Sequence, residues 1–200
     1  MQFQKDDIRE EIMAAARETF LTQGFSKASM RSIAKKAGIS TSNMYNYFKN
    51  KEELFYTITD PVVYHLVNLR EEVFGYKANK DFDNENFMQQ FTEFVPSAMF
   101  EMIRKYRKEL IMVMDGSKGT KYEKLKKMVV TRMENNFTEN IISKKKKRLL
   151  QDSFLMHILA MNLIEGILEI TRNYKNDEWA KSNIDSLIKY HIRGMVQFFT

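Results

Sequence analysis

An all-α protein is predicted by three features of this 200-residue sequence. Glycine (7) and proline (2) are too scarce for the many tight turns of a sheet-rich fold. Leu, Ile, Met, Ala, Glu and Lys, which favour helices, recur throughout. Apolar residues return at three- and four-residue intervals, the spacing of one helix face.

The elements follow in order. Asp7 to Gln23 reads as a first helix, its stripe made by Ile8, Ile12, Ala15, Ala16 and Phe20. Gly24 follows, where a helix end wants a residue tolerant of positive φ. Ser29 can cap a short second helix, Met30 to Ala37, with Met30, Ile33, Ala34 and Ala37 inward. Gly38-Ile39-Ser40 is a turn in which Ile39 tucks between helices. Ser40 caps a third helix to about Phe48, with Met44, Tyr47 and Phe48 able to face inward. Asn50 and Glu53 form a variant capping box for a fourth helix, from Lys51 through Leu54, Ile58 and Val62 to Val73. Pro61 inside it is expected to kink it. Gly75 to Asn84 is a loop by composition, Glu85 to Val95 a helix ended by Pro96, and Ser97 to Met114 the next. After the loop Asp115 to Thr120 come helices over Lys121 to Ser143, Lys147 to Tyr174 and Asp177 to Phe199.

Two short helices joined by a glycine-containing turn form a helix-turn-helix, whose second helix fits the major groove of DNA. Ala34 and Ala37 supply the small residues where the helices cross. Thr41, Ser42, Asn43 and Asn46 are short donors and acceptors suited to base edges, and Tyr45, Tyr47 and Lys49 lie where phosphates would pass. Lys51 adds its charge at the positive end of the fourth helix. Between Phe25 and Lys51 the charged residues are Lys27, Arg31, Lys35, Lys36, Lys49 and Lys51, with no acid among them. The whole chain carries a net charge of only +6, so this distribution says more than the total.

The residues Ala15-Ala16, Phe20, Gly24-Phe25, Ser29 to Ala34, Ala37 to Ser40 and Met44 to Leu54 resemble the N-terminal domain of TetR-type regulators. Tyr-x-Tyr-Phe-Lys-x-Lys-Glu-x-Leu in this register carries most of that resemblance. It implies a helix-turn-helix DNA-binding domain over residues 1–50 and a helical effector-binding and dimerisation domain over 51–200. It implies base or phosphate contacts for Ser40, Thr41, Ser42, Asn43, Tyr45, Asn46 and Tyr47, and phosphate contacts for Ser29, Arg31, Lys49 and Lys51. Asn43 stands where the family often has Gly, Pro or Thr, which leaves the base preference open. The function implied is a cytoplasmic repressor, released from a (pseudo)palindromic operator by a small apolar ligand. A constitutive or activating regulator without an effector is the alternative.

His65, on the fourth helix, borders the effector pocket that the resemblance implies. Phe91, Phe94, Met99, Phe100, Met102, Met112 and Phe137 are core by default, yet adaptable enough to wall an apolar ligand.

The two closing helices are apolar over an arc of roughly 200°, about twice what one core contact needs. Such an arc asks for a core on one side and a twofold partner on the other, giving a four-helix bundle. The expected homodimer face comprises Phe154, Ile158, Met161, Glu165, Leu187, His191, Gly194 and Phe198. Gly166 and Gly194 would let backbones approach.

Other functions find little support. The absence of cysteine excludes disulfides and thiolate chemistry. His65, His157 and His191 have no His, Asp or Glu at helical ligand spacing, so no metal and no cofactor is expected. No nucleophile–base motif or phosphate loop marks an enzyme. The start Met1 to Asp7 lacks the pattern of a secretion signal, and no apolar run approaches about eighteen residues, so no membrane span is expected. The basic run Lys144 to Arg148 reads as a solvated helix end.

Overall fold

The computed structural model describes residues 2–74, 84–140 and 154–199. Eight helices fill them: α1 (Gln2–Lys27), α2 (Met30–Lys36), α3 (Thr41–Met44), α4 (Lys51–Phe74), α5 (Asn84–Asp115), α6 (Leu125–Asn140), α7 (Phe154–Arg172) and α8 (Asp177–Phe199). The expected loop after Val73 and the basic run Lys144 to Arg148 fall mostly or wholly outside the described residues. Two compact units result, one of Met1–Leu66 with Lys108–Leu125, the other of Val67–Arg107 with Lys126–Thr200.

The first unit is built on an apolar stripe of α1. Ile12, Ala16 and Phe20 are buried against Ile33 and Ala34 of α2, Met44 of α3, Phe48, and Leu54, Phe55 and Ile58 of α4. Phe20, Phe25 and Phe55 form an aromatic triad, with Phe55 centred 5.1 Å from each of the other two and edge-on to both. In the last part of α1 Gly24 breaks the helical run with φ 71°, ψ 166°, a region essentially reserved for glycine. A Cβ there would stand 3.5 Å from the carbonyl oxygen of Gly116, and that same carbonyl accepts a 2.8 Å bond from the Phe25 N–H. Two glycines thus let the end of α1 and the loop after α5 cross backbone to backbone.

Neither proline ends a helix. α4 runs through Pro61 as one helix, and α5 runs through Pro96, where a break was expected. Proline's fixed φ is helical, so its cost is one lost hydrogen bond and local crowding, which a long packed helix can carry. The departure in α5 falls instead at Tyr106 (φ −127°, ψ 26°). α6 begins only at Leu125, because residues 121–124 remain in a turn.

In the second unit α7 packs on α8 closely enough that a Cβ on Gly166 would meet Leu187 at 2.8 Å. The stripe Ile184, Ile188, Ile192 and Met195 of α8 is buried, as are Met156, Ala160, Leu163, Ile167 and Leu168 of α7. α7 has a mean hydropathy of 1.5 over its best window, long and apolar enough by composition to cross a membrane. It also carries Glu165, whose carboxylate binds Lys126 (2.6 Å) and Arg172 (2.7 Å).

Candidate nucleic-acid interface

The turn between α2 and α3 is set by local chemistry. Ser29 caps α2, its hydroxyl accepting from the Ser32 N–H at 3.1 Å while the Ser32 hydroxyl accepts from the Ser29 N–H at 3.2 Å. At the other end Gly38 takes φ 68°, the Ile39 N–H bonds the Ala34 carbonyl (3.0 Å) and the Gly38 N–H bonds the Lys35 carbonyl (3.3 Å). This is a Schellman motif, and its apolar clasp is Ile39 against the core. Nothing lies within 4 Å of where a Gly38 Cβ would stand, so backbone conformation alone demands glycine. Gly38→Ala is expected to cost about 1–2 kcal/mol, read as a lowered urea midpoint.

Ser40 then caps α3, accepting from the Asn43 N–H at 3.1 Å. The helix keeps regular geometry only to Met44. Beyond it the N–H groups of Asn46 and Tyr47 bond three residues back, to Asn43 and Met44. The expected helix to Phe48 is therefore a short α-turn continued by a tighter one, in a stretch rich in poor helix formers. Met44 and Phe48 are anchored in the core. Ser42, Tyr45 and Asn46 are exposed, and Thr41, Asn43 and Tyr47 half-buried. The Asn46 amide donates to the Asn43 side-chain oxygen at 3.2 Å, and the Ser40 and Ser42 hydroxyls are 3.1 Å apart.

The cations separate into two kinds. Lys27, Arg31, Lys35 and Lys49 are exposed, and among the described residues no carboxylate pairs with them. Lys36 is bound to Glu18 at 2.5 Å. Lys51, expected on a phosphate, has its ammonium turned inward. It donates to the carbonyls of Phe25 (2.8 Å) and Ala28 (2.9 Å) and lies 4.1 Å from the centre of the Phe25 ring. Those carbonyls end α1, so Lys51 caps one helix from the first turn of another. The start of α4 is closed by Asn50, which accepts from the Glu53 N–H (2.7 Å), and by Glu53, which accepts from the Lys49 N–H (2.6 Å). Arg9 was not singled out in the sequence, yet its guanidinium covers the Phe48 ring at 5.0 Å.

The residues expected around an effector are not all brought together. Met112 belongs to the core of the first unit, packed with the helix-turn-helix residues. His65 is half-buried on α4, and its ring meets Tyr64 at 5.7 Å. Phe94 is exposed, Met99 half-buried, and Phe100, Met102 and Phe137 are buried in the second unit. The side chains of Phe91 and Phe198 lie outside the described residues. On the expected dimer face, Phe154 is 60% exposed, Met161 46% and Ile158 38%. Gly194 opens on empty space, and Leu187 is half-covered by Gly166 of its own chain. His191 buries its Nδ1 with no hydrogen-bond partner, and that burial depresses its pKa, with the nearby Leu187 carbonyl opposing.

Residues 12–58 match the family described as bacterial regulatory proteins, tetR family. The HTH-type transcriptional regulator UidR of Escherichia coli K12 is 32% identical over 99 residues, a match covering 39% of this chain and 50% of that protein. The chain thus spans about half the length of the curated relatives it matches first. A TetR-family regulator from Bordetella parapertussis superposes with a TM-score of 0.64 at 19% identity, covering 92% of this chain and 93% of that one. Native NalD, the secondary repressor of the MexAB-OprM multidrug efflux pump in Pseudomonas aeruginosa, gives a TM-score of 0.55 at 21% identity, with 94% and 97% covered.

Proposed function

The chain belongs to the tetR family of bacterial regulatory proteins through the domain at residues 12–58, and on that premise we propose that it is a homodimeric, DNA-binding transcriptional repressor acting in the cytoplasm. The observation that carries this reading is the polar row Thr41, Ser42, Asn43, Tyr45 and Asn46. It is presented outward by a helix whose other side, Met44 and Phe48, is fixed in the core. Such a row meets base edges in the major groove, while Ser29, Arg31, Lys49 and the Tyr47 hydroxyl meet phosphates on either side.

One recognition helix reads only a few base pairs, so the reading requires two, about 34–36 Å apart on one face of the duplex. The uncovered apolar row Phe154, Ile158 and Met161 on α7, continued by His191 and Gly194 on α8, supports a twofold partner there. The partner would also relieve the orphaned Nδ1 of His191. The effector, in this reading, is a small apolar molecule held by Met99, Phe100, Met102 and Phe137 of the second unit. It releases the operator only by its differential affinity for the two states.

The test is binding to duplexes taken from the region upstream of the gene. Log affinity should fall linearly with log salt, by about 0.9 for each phosphate neutralised, and Arg31→Ala should remove about one such unit per protomer. Asn46→Ala should instead change base preference, worth about 1–3 kcal/mol at the position it reads. A salt-independent complex, or a strictly monomeric protein that no duplex retains at low salt, would overturn the proposal.

A further inference from the structure

A second site lies in the first unit, where the loop after α5 meets the middle of α4. The Lys121 ammonium stands 4.2 Å from the centre of the Tyr56 ring and 4.8 Å from that of Tyr122. The two rings are 5.7 Å apart and nearly perpendicular, at 82°. Asp60 closes the third side, its carboxylate 3.2 Å from the ammonium. Two aromatic faces and a carboxylate around one point form a seat for a cation, because each ring face and the acid present negative potential to it.

The walls stand without the lysine's charge. Tyr56 packs against the core, and its hydroxyl accepts from the Lys121 backbone N–H at 3.0 Å. The Tyr122 hydroxyl donates to Asp60, and the Tyr122 N–H bonds Thr120 at 3.0 Å. The guest is held loosely by comparison. The Lys121 side chain is 50% exposed, and a groove lined by Thr57, Pro61 and Tyr64 leads to it from solvent. It can leave without opening the core.

We propose that Tyr56, Asp60 and Tyr122 form a binding site for an organic ammonium ion, in which Lys121 is a resident and displaceable occupant. A methylated ammonium suits the seat better than a primary one, since it sheds water more cheaply and presses its methyl groups on both rings. A tethered guest competes at an effective concentration of about millimolar. If Lys121 fills the seat about nine-tenths of the time, it weakens an outside cation about tenfold. The site is independent of the DNA-binding reading and is tested without DNA.

The experiment titrates the full chain with tetramethylammonium chloride at constant ionic strength, followed by tyrosine fluorescence and by thermal midpoint. Lys121→Ala should bind the cation about tenfold more tightly than the wild type, and its midpoint should rise with added cation. Adding Asp60→Asn to Lys121→Ala should remove most of that affinity. The proposal fails if Lys121→Ala binds no more tightly than the wild type, or if the double variant binds as well as the single one. Should Lys121→Ala fold poorly, Lys121→Gln keeps the length of the side chain and is held to the same two criteria.

Discussion

Lys51→Met is expected to lower the thermal midpoint by about 5–15 °C and to weaken every DNA complex alike. The methionine keeps the length of the stem but leaves the carbonyls of Phe25 and Ala28 without their charged donor. Hydrogen bonds from a charged group contribute about 1.5–3 kcal/mol each, and partial burial reduces that, so a total of about 2–4 kcal/mol is expected. For a chain of this length each kcal/mol moves the midpoint by about 2–4 °C. The measurement distinguishes two roles. Were Lys51 chiefly a phosphate ligand, the melting curve would stay in place and only the salt slope would change, by about 0.9 per protomer. Circular dichroism melts and a salt series on the same preparation decide between them.

Phe55→Ala should cost more, about 3–5 kcal/mol. Phe55 is fully buried and is the hinge of the aromatic triad, touching the end of α1 through both Phe20 and Phe25. Removing it leaves a cavity between Phe20 and Phe25, and the loss grows with the volume the surrounding side chains leave unfilled. Urea denaturation should show the loss directly, with operator binding failing at denaturant concentrations the wild type tolerates. Tyr45→Ala, at a 52% exposed position, should leave the denaturation midpoint unmoved and serves as the control. Equal midpoints for Phe55→Ala and Tyr45→Ala would contradict this account of the core.

Much of the first unit was legible because its signals are local. Ser29, Ser40, Asn50 and Gly38 each act within four residues of their own position, and each adopts the cap or turn read from the sequence. The core stripe of α1 was equally plain from its spacing. What stayed hidden depends on partners far along the chain. Nothing near Lys51 says that two carbonyls 23 and 26 residues earlier wait for it. Nothing near Asp60 announces Tyr122, 62 residues on. Pro96 misled for a physical reason, since proline signals the loss of one bond and not the end of a helix. The break at Tyr106 carries no local mark, tyrosine being neither cap nor turn former. Met112 looked like a ligand wall because a methionine at helical spacing gives no sign of which core it will join.

The hydrogen bond between Asn46 and Asn43 has a consequence for how an operator is spelled. One amide proton and one lone pair are already spent inside the pair, so in the proposed complex neither side chain would meet a base with all its valences open. A substitution at one base step that recruits Asn46 frees the oxygen of Asn43 for the neighbouring step. On the proposed reading the two steps would then be read as a dinucleotide, and a matrix that scores each letter separately would misrank sites that differ at both.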